Sequence, residues 1–284
     1  MSSEPATILA SQVHMMEAAH SGRTYRITIS LPLGYASTPD EAWPFNNAPE
    51  KWPVVYVLDG NWYFGMVTDI IRPMAWCGST TDAIVVGIGY PQDNDPIEAF
   101  KTSFTRRDHD LTPIRDEAVE KMMEARHKRP VPNGDAAGFH RFINDELIPF
   151  VEQNYHADSS RRILVGHSYG GLFALFSLFK TPDLFNTLII GSPTVSYGDR
   201  ITFAQEEAFA KDNKTLPVNI YLFVGEYEES IDDNTVTDTL RVAAILQGRD
   251  YKGLTVVKHI FPDQNHCEVA APGFQWGLKS ALRR

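Results

Sequence analysis

A chain of 284 residues, 43% of them apolar, is long enough to bury a sizeable core, and its formal net charge of -10 repels nucleic-acid phosphates and anionic lipid. The two cysteines, Cys77 and Cys267, form neither a C-x-x-C pair nor a zinc spacing, and a chain of this size needs no disulfide framework. No stretch reaches the roughly 18 uninterrupted apolar residues of a spanning helix, and residues 1–20 lack a basic region followed by an apolar run, so a cytoplasmic protein without nucleic-acid or membrane partners is expected.

Residues 24–33, TYRITISLPL, alternate apolar and polar side chains and predict a strand near a sheet edge. Residues 34–50 are rich in Pro, Asn and Ala and predict a loop. The runs PVVYVL (53–58) and AIVVGI (83–88) are continuously apolar, as strands buried on both faces of a parallel sheet are. Residues 91–138 are polar, dotted with proline and without clear periodicity, and so long an excursion is often a functional lid. Helical spacing of Phe142, Ile143, Leu147, Ile148 and Val151 marks residues 139–155.

Strands are then predicted at 162–166, 187–191, 218–224 and 254–261, and helices at 171–179, 203–211, 238–247 and 273–282. This alternation indicates an α/β fold, a mostly parallel central sheet with helices on both faces. A single domain over 1–284, with a lid-like insertion at 92–137, is the simplest organisation.

Gly166-His167-Ser168-Tyr169-Gly170 matches G-x-S-x-G once in the chain, between an apolar strand and an apolar helix. In that context the serine sits on a sharp turn at the carboxyl edge of the sheet, and the helix N-terminus faces a developing oxyanion. Ser168 is therefore the expected nucleophile. Its base must follow it in the chain, which leaves His259 and His266. His259 lies inside a strand run, whereas His266 lies in the loop after it and is preferred.

The acid is expected in the loop after the strand NIYLFV, where Glu226, Glu228, Glu229, Asp232 and Asp233 compete and Glu228 is favoured. One oxyanion donor is the backbone N–H after the nucleophile, Tyr169, and the other comes from the turn Asp59-Gly60-Asn61, from Gly60 or Asn61.

The segments YRITISLP, PVVYVLDGNWYF, RRDHDLTP and GHSYGGLFALF, with the late His266, together resemble the putative-esterase family of α/β-hydrolases. That family includes esterase D-like enzymes and bacterial siderophore esterases that open catecholate trilactones, and the resemblance runs from roughly residue 23 to the end of the chain. It implies an α/β-hydrolase fold and a serine esterase working through an acyl-enzyme. It also implies Ser168 as nucleophile, His266 as base, Glu228 as acid, and Asn61 and Tyr169 as oxyanion donors. Tyr169 stands where the family often has leucine.

The expected partner is a small-molecule ester, anionic or aromatic, with no cofactor and no metal. Residues 101–130 hold eight Lys or Arg against six Asp or Glu. Arg106 and Arg107 could form a basic mouth for an anionic substrate, or belong to an ordinary salt-bridged surface. Trp62 could line an aromatic pocket or simply pack. An acyltransferase and a non-catalytic binding protein are the alternatives to hydrolysis. Oligomeric state is not legible.

Overall fold

The computed structural model describes residues 6–36, 49–229 and 234–283. Its strands are β1 (Ser11–Glu17), β2 (Thr24–Ser30), β3 (Trp52–Val57), β4 (Ile84–Gly89), β5 (Ala157–His167), β6 (Thr187–Gly191), β7 (Asn219–Gly225) and β8 (Thr255–Phe261). They form one eight-stranded sheet in the order β1-β2-β4-β3-β5-β6-β7-β8. The β1–β2 and β2–β4 pairs are antiparallel and every other pair is parallel. The edge strand beyond the predicted one is β1, whose sequence SQVHMME is largely exposed and carries little apolar signal.

The apolar runs are buried on both faces. From β3, Val54, Tyr56 and the following Leu58 enter one core, while Val55 and Val57 enter the other. The second core is closed by α1 (Gly60–Trp76) through Phe64, Val67 and Ile71, and by α9 (Ala270–Ala281) through Phe274 and Leu278. The first core is covered by α4 (Ala136–Phe142), α5 (Ile148–Asn154), α6 (Tyr169–Lys180), α7 (Tyr197–Asp212) and α8 (Thr235–Gly248). A single π turn, Ile143–Leu147, joins α4 to α5.

The excursion expected to be irregular is helical. Its first helix, α2 (Pro96–Leu111), opens at a capping Asp95 whose carboxylate accepts from the amide of Ile97 at 2.8 Å, with proline at the first position. A second helix, α3 (Glu117–His127), opens the same way at Asp116. The face α2 turns inward is mostly polar: Ser103, Arg107, Asp108 and Asp110 are buried beside Leu111. A helix that buries charges leaves no apolar period to read. Among the described residues no helix is long and apolar enough to cross a membrane.

Candidate active site

Ser168 lies at the junction of β5 and α6 with φ 60° and ψ −120°, a conformation L-residues rarely adopt. Its amide donates to Gly191 O at 2.9 Å and its carbonyl accepts from Leu172 N at 3.0 Å, so the strained turn is pinned on both sides. The glycines around it are not equivalent. A Cβ on Gly166 would lie 2.3 Å from Gly170 O, whereas one on Gly170 would meet nothing closer than 3.4 Å. The Ser168 hydroxyl is 3.4 Å from that of Thr194, which follows β6.

His266 sits in the turn after β8, with 44% of its side chain exposed. Its ring centroid is 4.6 Å from that of His167, the residue before Ser168. Nδ1 of His266 is 2.5 Å from Oε2 of Glu228. The other oxygen of Glu228 accepts from Ser192 Oγ at 2.6 Å and from the amide of Gly225 at 2.7 Å. Glu228 is 7% exposed, and three donors converge on its carboxylate.

The rival carboxylates are engaged elsewhere. Glu226 accepts from the Asp263 amide, and Glu229 accepts from the amide and hydroxyl of Thr237. Asp232 and Asp233 lie outside the described residues. His259 is exposed on β8 and stacks on Trp276 at 5.5 Å, centroid to centroid.

Two helix N-termini meet at this edge of the sheet. At α1, Asp59 O accepts from Trp62 N and Tyr63 N, so the earlier amides, Gly60 and Asn61, have no acceptor within the helix. A Cβ on Gly60 would strike the Gly87 backbone at 2.7 Å, so only glycine lets this turn lie against β4. The Asn61 side chain is locked to Tyr90, accepting from its amide at 2.6 Å and donating to its carbonyl at 2.9 Å, so only its backbone amide is left for a ligand. The second N-terminus is α6, whose first amide belongs to Tyr169.

His167 is buried. Burial, reinforced by His266 and Arg107, holds its pKa well below the ordinary histidine value, so the ring is neutral. Tyr63 Oη lies 3.4 Å from its Nδ1.

Two expected substrate contacts are placed differently. Arg107 is 6% exposed; its Nε and Nη2 donate to the two oxygens of Asp59 at 2.8 and 3.0 Å, and its Nη1 lies 4.0 Å from Asp108 Oδ1. It therefore presents no charge to a ligand in solution. Arg106 is exposed but points to the start of β2, donating to Thr24 O at 3.3 Å. Lys101 and Arg129 pair with Glu98, and Arg115 pairs with Glu120. The excursion thus follows the mixed-sign surface pattern rather than a basic mouth.

Trp62, in contrast, lines a cavity of about 330 Å³ with Asn61, Gln92, Asp93, Pro96, Ala99, Phe100 and Ser103. Its ring lies 4.8 Å from Phe104 and 5.9 Å from Phe100, centroid to centroid. A larger cavity, between α7 and α8, contains none of these residues.

His109 faces Arg23 and Asp110, and no group of three or more His, Cys, Asp or Glu among the described residues is placed to hold a metal. Cys267 is an exposed free thiol.

Sequence reasoning did not single out Ser192 or Thr194, and it gave Asp59 no role beyond opening the turn. Ser192 and Thr194 follow β6 at the carboxyl edge, where open α/β sheets build their sites, and that position was the available signal.

Residues 18–266 match the family model described as "Putative esterase". The ferri-bacillibactin esterase BesA of Bacillus subtilis (strain 168) is 36% identical over 229 residues, which span 78% of this chain and 72% of that protein. The crystal structure of the BES protein from Bacillus cereus superposes with a TM-score of 0.81 at 25% identity, covering 100% of this chain and 99% of that one. The siderophore hydrolase EstB from Aspergillus nidulans shares the fold, with a TM-score of 0.79 at 23% identity over 99% and 98% of the two chains. The chain belongs to the putative-esterase family, as an ester hydrolase built on the α/β-hydrolase fold.

Proposed function

We propose that this protein hydrolyses siderophore-type esters through an acyl-enzyme on Ser168. The observation that carries the catalytic reading is the His266–Glu228 pair, held beside a strained serine turn and two helix N-termini. The substrate class rests on similarity to BesA, a ferri-bacillibactin esterase.

In this reading Ser168 Oγ attacks the ester carbonyl and His266 Nε2 takes its proton. Glu228 accepts a hydrogen bond from Nδ1–H of His266, fixing the tautomer and stabilising the imidazolium. The amides of Asn61 and Tyr169 stabilise the tetrahedral oxyanion; each such donor contributes about 100- to 1000-fold in rate. His266 then protonates the departing alkoxide, water enters, and the same base activates it to release the acid and regenerate Ser168.

The cavity beside Asn61 is the place for the aryl part of the substrate, with Trp62 and Phe100 offering ring faces. Residues 92–137 form the cover on that side. Phe104 packs on Trp62, and Tyr197 donates to Ile114 O at 2.9 Å, tying the segment to the rest of the chain. The exposed free thiols of Cys77 and Cys267 fit a reducing compartment such as the cytoplasm.

A substrate panel tests the assignment: p-nitrophenyl butyrate, a feruloyl ester, S-formylglutathione and a ferric catecholate trilactone. The trilactone is expected to give the highest kcat/KM. Faster turnover of S-formylglutathione than of every oxygen ester would contradict the substrate class.

A further inference from the structure

Asp59 is the residue immediately before the Gly60-Asn61 amides. It is 5% exposed and adopts φ 51° and ψ 44°, the left-handed region that an L-residue other than Asn or Asp seldom occupies. Its carboxylate is gripped at both oxygens by Arg107. The same guanidinium lies over the Tyr169 ring, 5.2 Å from the centroid, and 5.4 Å from that of Trp62. One buried cation therefore touches both chain segments read as supplying the oxyanion amides: the Asp59–Trp62 turn and the start of α6.

Burial opposes the charge on Arg107, but the Asp59 carboxylate and its hydrogen bonds, with Asp108 Oδ1 4.0 Å away, outweigh it and raise the arginine's pKa. The charge on Asp59 matters for the reaction as well as for the fold. An unneutralised carboxylate next to the oxyanion donors would oppose the negative charge that develops in the transition state, most strongly in a site closed to water.

We propose that Arg107 is a positioning residue for ester hydrolysis: it fixes the Asp59–Asn61 turn against Tyr169 and cancels the charge of Asp59 beside the oxyanion. This rests on the reading of Asn61 and Tyr169 as oxyanion donors. The sequence left Arg107 between a basic mouth and a salt-bridged surface; the geometry assigns it to the wall behind the oxyanion instead. Lysine cannot substitute, because a single ammonium grips one point and offers no plane to the Tyr169 and Trp62 rings.

The test measures kcat, KM and inhibition by phenylboronic acid, a tetrahedral-adduct former, for Arg107→Lys, Arg107→Met, Asp59→Asn and the Asp59→Asn/Arg107→Met double variant. Active sites are titrated by burst so that rates refer to folded enzyme, and p-nitrophenyl butyrate is the substrate. Arg107→Lys is expected to lower kcat about 10- to 100-fold with KM changed less than about threefold, and to weaken boronate inhibition by the same factor as kcat/KM. Arg107→Met is expected to be worse, and adding Asp59→Asn to recover at least about tenfold by removing the uncompensated charge.

A Tm loss in Arg107→Lys with kcat and boronate affinity at wild-type values would overturn the proposal and leave a purely structural ion pair. If Arg107→Met does not fold, Arg107→Lys and Asp59→Asn decide by the same readouts. Failure of the underlying reading looks different: the boronate would not inhibit the wild type, or Ser168→Ala would retain activity.

Discussion

His266 Nδ1 lies 2.5 Å from Glu228 Oε2, and the second oxygen of that carboxylate is filled by Ser192 Oγ and the Gly225 amide. Every donor around Glu228 thus has a place, and the imidazole can take one tautomer only while Glu228 is ionised. The remaining nitrogen, Nε2, is left as the acceptor that a serine nucleophile needs.

Replacing Glu228 with glutamine puts an amide where the hydrogen bond from Nδ1–H is accepted. Glu228→Gln is expected to reduce kcat by about 1,000- to 10,000-fold on p-nitrophenyl butyrate. Glu226→Gln, which loses only its bond to the Asp263 amide on the surface, should stay within about threefold of wild type. Comparable losses from both would place the acid elsewhere in that loop.

Ser192→Ala leaves one lone pair of a buried carboxylate unpaired while Gly225 still donates to the same oxygen. The expected cost is about 1–3 kcal/mol in stability by urea titration, with kcat down about tenfold as Glu228 loosens. An unchanged denaturation midpoint would show that the hydroxyl contributes nothing.

Asp108 is 1% exposed and neither of its oxygens has a hydrogen-bond partner. Burial raises its pKa to about 6, against the pull of Arg107. Since the folded value exceeds that of an unfolded aspartate, ionisation costs stability: the penalty is absent near pH 4, grows as pH rises, and is complete above about pH 6. Asp108→Asn mimics the neutral form. It is expected to match wild type at pH 4 and to exceed it at pH 8 by up to about 3 kcal/mol, read from urea denaturation at the two pH values. A stability difference independent of pH would contradict this.

Trp62 and Phe100 line the cavity beside Asn61. Phe100→Ala and Trp62→Ala are expected to raise KM for a feruloyl ester by about 3- to 10-fold while leaving p-nitrophenyl acetate within about twofold. Equal effects on both esters would remove the cavity from substrate recognition.

Much of this molecule is legible in its sequence because burial on both faces writes an unbroken apolar run. PVVYVL and AIVVGI became β3 and β4, flanked by two separate cores. The serine turn is legible because its geometry demands glycine at position 166. Other parts are hidden for physical reasons. The inward face of α2 is built of Arg107, Asp108 and Asp110, so its period is one of charge, which a solvated surface would also show. From sequence, Arg107 reads equally as a substrate contact or a surface ion pair; only the left-handed Asp59, almost fifty residues earlier in the chain, reveals what it grips. The five acids that follow β7 lie within eight residues of one another in sequence, and all are carboxylates. Burial separates Glu228 from its neighbours, and burial depends on Ser192 and Gly225 reaching it in three dimensions.

The central claim is that an ester is cleaved by covalent transfer of its acyl group to Ser168. Intact-protein mass spectrometry of acid-quenched turnover of p-nitrophenyl butyrate, followed by peptide mapping, tests this directly. The account predicts one butyryl group on the peptide containing Ser168, formed far more slowly in His266→Gln, where acylation and deacylation both lack their base, and absent in Ser168→Ala. A butyryl group on another residue, such as the exposed Cys267, or turnover by Ser168→Ala at the wild-type rate, would contradict it.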